Sequence, residues 1–295
     1  MYIRILFLLP LILLIAACGD SAADSYDEDL YLGVSRDENR ALKESPVLTR
    51  RVEQGKLPSL EQRLPENPMV VAVVEELGLY GGTWRHYHVS SDLVTMRLIT
   101  NYYSLTRWNP EVDDIIPGLA TSWEFNEGGN EITFHLRRGV KWSNGDPFNS
   151  RDILFWWEVA TDDRIAMTPP EWAYSRGKQM EVLAPDPYTI TFKYESAFYF
   201  LPIIMATGFW VPEMTMIPFE YMKQYHPDYS EYGDFAEFLR KNDVVQNVDR
   251  PTLGPWRLSY SSDTGDRIVY ERNPYYWAVD PEGRQLPYID RIESF

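Results

Sequence analysis

The pattern of hydrophobic residues in one short segment near the middle of the chain constrains the fold more than any other feature. In TSWEFNEGGNEITFHL (121–136), apolar and polar residues alternate on both sides of a Gly-Gly pair. This pattern predicts a β-hairpin with residues 127–130 as its turn. A helix should follow, because Asn149 or Ser150 can cap it and Asp152 favours the positive end of its dipole. A hairpin that leads into a helix predicts an α/β fold of the mixed α+β type.

Several other segments carry strand and helix patterns. Residues 83–89 predict a strand, and Ser90 or Ser91 can cap a helix over residues 92–100. A second hairpin is predicted for residues 179–194, with its turn at the two prolines of APDP. A further pair of strands is predicted at residues 254–261 and 266–273. Two short helices are predicted at residues 218–225 and 234–241.

The amino terminus has the composition of an export signal. In residues 1–17 one cation, Arg4, precedes an apolar run that is too short to span a bilayer. The sequence around the sole cysteine, IAAC, resembles the lipobox of bacterial lipoproteins. The resemblance implies that Cys18 carries a diacylglyceryl group and anchors the chain to a membrane in the periplasm or cell envelope. A secreted protein without an anchor is the alternative.

The next segment is acidic and has few large apolar residues. We therefore expect a solvated tether and a short helix over residues 18–56, with Gly55 ending the helix. The folded body is expected over residues 57–295.

Charge and cysteine content exclude several classes of protein. The chain has 28 basic and 44 acidic residues and a net charge of −16, which does not favour nucleic acid or anionic lipid as partners. One cysteine cannot form a disulfide framework, so stability must come from core packing. No phosphate-binding glycine loop with a lysine is present, and no cofactor is predicted.

Three stretches resemble the peptide-type substrate-binding proteins of bacterial ABC transporters, the oligopeptide, dipeptide and nickel class. They are PGLATSWEFNEGGNEITFHLRRGVKWSNGDPFNSRDI, TLGPWRLSYS and ERNPYYWAVDPEGRQLPYIDRIE. The resemblance runs from about residue 57 to residue 295.

The resemblance implies a periplasmic-binding-protein-like fold of two lobes. We expect residues 57–295 to form an incomplete first lobe, with the second lobe largely absent from this chain. It also implies that a solute is captured between the lobes and passed to an ABC permease, while ATPase subunits are separate chains. The expected ligands are oligopeptides. Oligosaccharides are the alternative, because aromatic residues stack on sugar rings as well.

Residues that line the cleft of such a protein can be nominated from strand ends and aromatic positions. The loop after the first predicted strand offers side chains and free backbone N–H groups, and nearby aromatic residues could form cleft walls. Core packing or helix capping is the alternative role for each. The candidate ligand-binding residues are Tyr87, His88, Ser90, Asp92, Tyr102, Tyr103, Trp210 and Trp256.

The sequence favours neither a metal site nor catalysis. His86 and His88 would share one face of a strand, but no neighbouring cysteine or acid completes a metal site. No acid is marked by a catalytic motif, so we predict no enzyme and no metal site. A surface lipoprotein that interacts with other proteins and binds no solute is the remaining alternative.

Overall fold

The computed structural model describes residues 41–88, 100, 103–165, 167–207 and 215–295. Cys18 and four of the candidate residues lie outside this part of the chain: Ser90, Asp92, Tyr102 and Trp210. Over the described ranges, no helix combines the length and the apolar character needed to cross a membrane.

The described residues contain strands from one end to the other, interspersed with short helices. The strands are β1 (Met69–Val70), β2 (Thr83–His86), β3 (Thr106–Trp108), β4 (Ile115–Pro117), β5 (Ala120–Phe125), β6 (Glu131–Leu136), β7 (Tyr174–Ser175), β8 (Lys178–Gln179), β9 (Glu181–Asp186), β10 (Thr189–Lys193), β11 (Trp256–Ser261), β12 (Ile268–Arg272), β13 (Ala278–Val279) and β14 (Arg291–Ser294). The α-helices are α1 (Pro46–Glu53), α2 (Leu60–Arg63), α3 (Ser150–Ala160), α4 (Leu201–Thr207), α5 (Phe219–Met222) and α6 (Phe235–Lys241). Short 3-10 helices cover Glu171–Ala173 and Lys223–Tyr225.

The larger core is built on the first sheet, an antiparallel sheet of order β5-β6-β10-β9. Both predicted hairpins, β5–β6 and β9–β10, are confirmed. The turn of the second lies at residues 187–188 and not at 184–187 as predicted, because β9 continues to Asp186. Alternate residues of β6 and β10 point inward. Among them, Phe134 and Phe192 meet edge to face, with ring centroids 5.9 Å apart. Helix α3 packs on this sheet and buries Ile153, Phe155 and Trp156. Burial of such side chains provides most of the stability of the fold.

The start of α3 confirms the predicted cap. The Asn149 side chain accepts the backbone N–H of Arg151 at 2.8 Å, and the Asp152 carboxylate accepts that of Asn149 at 2.9 Å. This reciprocal capping box satisfies backbone donors that would otherwise have no partner. The sequence therefore determines where the helix begins.

The second sheet has the order β11-β12-β14-β2. Its β11–β12 and β12–β14 pairs are antiparallel, whereas β14 and β2 are parallel. A smaller core lies on one face and includes Leu258, Ile268, Tyr270 and Ile292. Because β2 lies some 200 residues before β14 in sequence, the parallel pair joins two parts of the described chain that are distant in sequence.

The segment before β2 packs along the residues that precede β14. Leu42 packs against Leu60 and Val279, and the backbone N–H of Lys43 donates to the Gly283 carbonyl at 2.9 Å. The guanidinium of Arg63 is fully buried, pairs with Glu44 and donates to the Pro274 carbonyl. Burial lowers the pKa of Arg63, and the Glu44 carboxylate opposes that shift. Lys43 and Glu44, which lie within the segment predicted as tether and short helix, are therefore joined to the residues between β12 and β14.

Candidate functional site

The pairing of β2 with β14 places several candidate residues in one part of the second sheet. Thr83 lies opposite Arg291 and His86 opposite Ser294, so residues 86–88 lie beside residues 294–295. The β11–β12 turn lies here too, since Ile268 lies opposite Ser294. We call residues 86–88, 294–295 and this turn the carboxyl edge.

The His88 side chain joins the three parts of the carboxyl edge. Its Nδ1 lies 2.5 Å from the Ser294 hydroxyl and its Nε2 lies 2.9 Å from the Gly265 carbonyl. The His88 backbone N–H donates to the Phe295 carbonyl at 2.9 Å. Both ring nitrogens are therefore engaged within the protein, and the predicted direct ligand contact through them is not favoured.

Tyr87 and Phe295 form an aromatic pair at the carboxyl edge. Side chains alternate between the two faces of a strand, so these residues lie on the face opposite His88 and Ser294. Their ring centroids are 6.3 Å apart with a 48° angle between the planes. The Tyr87 side chain is 88% exposed and that of Phe295 is 40% exposed. Tyr87, a predicted ligand-binding residue, is thus exposed in the described part of the chain.

A charged network lies on the same face as the aromatic pair. The largely buried Glu293 carboxylate lies 3.0 Å from Arg291, 3.3 Å from Arg85 and 4.0 Å from Arg267. The Arg267 guanidinium is in turn 5.8 Å from the centre of the Phe295 ring. Polar donors and acceptors thus border the exposed aromatic rings.

Two predicted ligand-binding residues lie away from this edge. Tyr103 is 2% exposed and packs in the larger core, which favours a packing role over ligand contact. Trp256 begins β11 opposite Arg272, which places it at the other edge of the sheet. Its indole N–H donates to the Ile289 carbonyl at 3.1 Å, and its ring packs on the smaller core. These contacts favour structural roles for Tyr103 and Trp256, and a ligand contact by either residue stays a prediction.

One group in the described ranges has the donor atoms of a metal site. Asp162, His226 and Asp228 offer ligand atoms within 4.8 Å of one another. The Arg164 guanidinium bridges the two carboxylates, at 2.6 Å from Asp162 and 3.0 Å from Asp228. These hydrogen bonds lower the pKa of both aspartates. Arg164 thus supplies to the two carboxylates the positive charge that a metal ion would otherwise supply.

Sequence reasoning missed three parts of the carboxyl edge: Gly265, Ser294 and Phe295. The alternation in RIESF is a weak strand signal, but nothing in it points to a parallel partner 200 residues earlier. Long-range pairing of this kind is set by the packing of the whole sheet, not by local pattern.

Comparison with known proteins identifies the family. The sequence profile described as Bacterial extracellular solute-binding proteins, family 5 Middle, matches residues 114–294, more than half of the chain. The chain belongs to this family. The predicted mixed α/β fold and the family resemblance are thereby confirmed.

Relatives of this family 5 chain carry names that refer to different ligands. A periplasmic alpha-galactoside-binding protein of Rhizobium meliloti is 33% identical over 88% of this chain and 40% of its own length. The periplasmic oligopeptide-binding protein OppA of Salmonella typhimurium is 29% identical over 55% of this chain and 28% of its own length.

Solved structures of relatives have the same fold as this family 5 chain. An oligopeptide-binding protein OppA gives a TM-score of 0.76 at 39% identity, over 86% of this chain and 41% of that one. MelB of Agrobacterium fabrum, in complex with stachyose, gives a TM-score of 0.69 at 31% identity, over 86% of this chain and 40% of that one. The chain thus spans about two fifths of the length of these relatives.

Proposed function

We propose that this chain supplies one lobe of an extracytoplasmic solute-binding protein, which passes its ligand to an ABC permease served by separate ATPase subunits. Family membership supports the capture role. The observation that carries the proposal is the match of residues 114–294 to the solute-binding family.

We propose oligosaccharides as the ligand class. Two relatives named for sugar ligands, the alpha-galactoside-binding protein and the stachyose complex, match 86–88% of this chain at 31–33% identity. The exposed Tyr87–Phe295 pair supports the same class, because the apolar faces of sugar rings pack on aromatic rings.

Oligopeptides, the class expected from the sequence, are the second candidate. The solved structure named as an oligopeptide-binding protein is 39% identical to this chain over 86% of its length. Backbone groups at strand ends can bind the amide groups of a peptide as readily as the hydroxyl groups of a sugar.

Calorimetric titration of the intact protein separates the two classes. The probes are stachyose, raffinose and cellopentaose on one side and penta-alanine on the other. Heat of binding with a sugar and none with the peptide supports the proposal. The reverse result would replace sugar with peptide, and binding of neither probe class by folded protein would contradict the capture function.

We further propose that Cys18 anchors the protein to the outer face of a membrane. The small residues before this cysteine support the proposal. Two acyl chains hold a protein stably on a bilayer, whereas one gives only weak binding. Labelled palmitate should enter the wild-type protein in cells and should not enter Cys18→Ser. Equal membrane recovery of both proteins would argue against the anchor.

A further inference from the structure

We infer that a cavity beside the first sheet binds a small oxyanion, a phosphate or a carboxylate, through Arg137 and Arg138. The cavity has a volume of about 270 Å³ and is lined by both arginines, which come directly after β6. Thr121 of β5 and Tyr188 of the β9–β10 turn form other parts of the lining. The inference goes beyond solute capture, because these residues lie on the first sheet and the carboxyl edge lies on the second.

The Arg137 guanidinium is fully buried and has only neutral partners among the described residues. Its Nη1 donates to the Asn67 carbonyl at 2.7 Å. Its Nε and Nη2 donate to the Gly118 carbonyl at 3.3 Å and 3.2 Å. Burial lowers the pKa of Arg137 to about 10, and no carboxylate in the described ranges opposes the shift.

This lack of a counter-charge distinguishes Arg137 from the other fully buried arginine. Arg63 pairs with the Glu44 carboxylate, whereas the charge of Arg137 is met by carbonyl dipoles alone. A buried charge without a counter-charge is costly. An anion in the adjoining cavity would offset part of that cost, so the position of Arg137 favours an anionic occupant.

Arg138 supplies donors that a ligand can reach. Its guanidinium lies over the Tyr188 ring, 4.4 Å from the ring centre, and the side chain is exposed. In the described part of the chain it forms no ion pair and no side-chain hydrogen bond. A guanidinium on an aromatic face is held in place while its N–H groups point outward in its own plane. That fork matches two oxygens of a carboxylate or a phosphate.

Two acids also line the cavity and bear differently on an anion. The Asp186 carboxylate accepts the backbone N–H of Tyr188 at 2.7 Å and so belongs to the β9–β10 turn. This hydrogen bond lowers the pKa of Asp186, and the charge of Arg138 lowers it further. Glu66 is exposed, and its charge opposes a bound anion across the cavity. Removal of the Glu66 charge should therefore strengthen binding, whereas removal of the Arg138 charge should weaken it.

Calorimetric titration of the intact protein in Tris chloride at neutral pH tests the inference. The probes are sodium phosphate and sodium acetate, with sodium chloride at equal ionic strength as the reference. Heat of binding beyond that of chloride supports the site, and the probe that produces it identifies the oxyanion. Stachyose and penta-alanine, titrated into the same preparation, report on solute capture separately.

Two charge variants with matched controls locate the site. Arg138→Gln should weaken oxyanion binding about fivefold or more, because a charge-assisted pair of hydrogen bonds is lost. Arg50→Gln, at an exposed arginine of α1, should bind as wild type does. Glu66→Gln should strengthen binding about twofold, and Glu127→Gln, at an exposed acid of the β5–β6 turn, should not change it. Arg137 is left unchanged, since its substitution would disturb the fold.

Three results would overturn the inference. Folded wild-type protein that gives no heat beyond chloride with either probe has no oxyanion site. Equal losses in Arg138→Gln and Arg50→Gln would mean that anions bind to surface arginines in general. Weaker binding by Glu66→Gln would place the anion outside this cavity. Circular dichroism melting of each variant ensures that only folded protein is compared.

Discussion

The Asp152 carboxylate accepts a hydrogen bond from the backbone N–H of Phe219 at 2.8 Å and so joins the first turn of α3 to the start of α5. The same carboxylate accepts the N–H of Asn149 at 2.9 Å. Asp152 is almost fully buried, and burial raises its pKa to about 7 from the usual 3.8, although both hydrogen bonds oppose the shift. A capping residue thus becomes a buried group that titrates near neutral pH.

The raised pKa of Asp152 predicts a pH dependence of stability. The folded protein binds a proton at Asp152 more tightly than the unfolded chain does, so folding is favoured at low pH. This contribution is fully present below about pH 4 and is lost as the pH rises to about 7. The loss is on the order of 4 kcal/mol in the free energy of unfolding.

Urea denaturation of the intact protein between pH 5 and pH 7.5 measures this effect. Asp152→Asn cannot titrate, so its free energy of unfolding should change less with pH than that of the wild type. The exposed Asp163→Asn provides the control and should keep the wild-type slope. Equal slopes for all three proteins would show that Asp152 is already ionised at pH 5.

The buried pair of Arg63 and Glu44 makes a second prediction. Glu44→Gln leaves the fully buried guanidinium without its carboxylate, so the free energy of unfolding should fall by about 2–4 kcal/mol. Glu282→Gln removes an exposed partner 3.8 Å from Lys43 and should cost less than about 0.5 kcal/mol. Chemical denaturation at neutral pH gives both values. Similar losses for the two variants would mean that Glu44 contributes no more than a surface acid.

Local chemistry explains which parts of the fold could be predicted. The cap of α3 and the β5–β6 hairpin follow from residues close in sequence, and both are confirmed. The carboxyl edge depends on the parallel pairing of β2 with β14, which no local pattern encodes. Tyr103 and Trp256 have packing contacts in the structure, and sequence alone does not separate such residues from ligand contacts, because an aromatic side chain has the same sequence signal in a core and at a ligand surface.

Gly118 allows close approach of two backbone segments, which gives a third prediction. A Cβ atom at this position would lie 2.5 Å from the Ser104 carbonyl oxygen and 3.1 Å from that of Leu105. Backbone atoms cannot move aside as a side chain can, so Gly118→Ala should lower the free energy of unfolding by about 2 kcal/mol or more. At the exposed Gly128 the nearest atom is the end of the Asn130 side chain, 2.8 Å away.

Gly128→Ala is therefore the matched control for Gly118→Ala. Rotation of the Asn130 side chain should limit its cost to about 1 kcal/mol or less. Thermal melts followed by circular dichroism compare the two variants directly. If Gly118→Ala melts at the same temperature as Gly128→Ala, the approach of residues 104–105 to Gly118 is less tight than described.

Val112 has a backbone conformation that β-branched residues disfavour. A substitution that relieves this strain should stabilise the protein. Its φ is +60° in the β3–β4 turn, a region in which β-branched residues are strained. The side chain is largely exposed, so Val112→Asn gives up little apolar burial and should raise the free energy of unfolding by about 1 kcal/mol. Val74→Asn, at an exposed valine outside this backbone region, should bring no gain in the same urea titration. Equal effects at the two positions would mean that the turn at Val112 stores no strain.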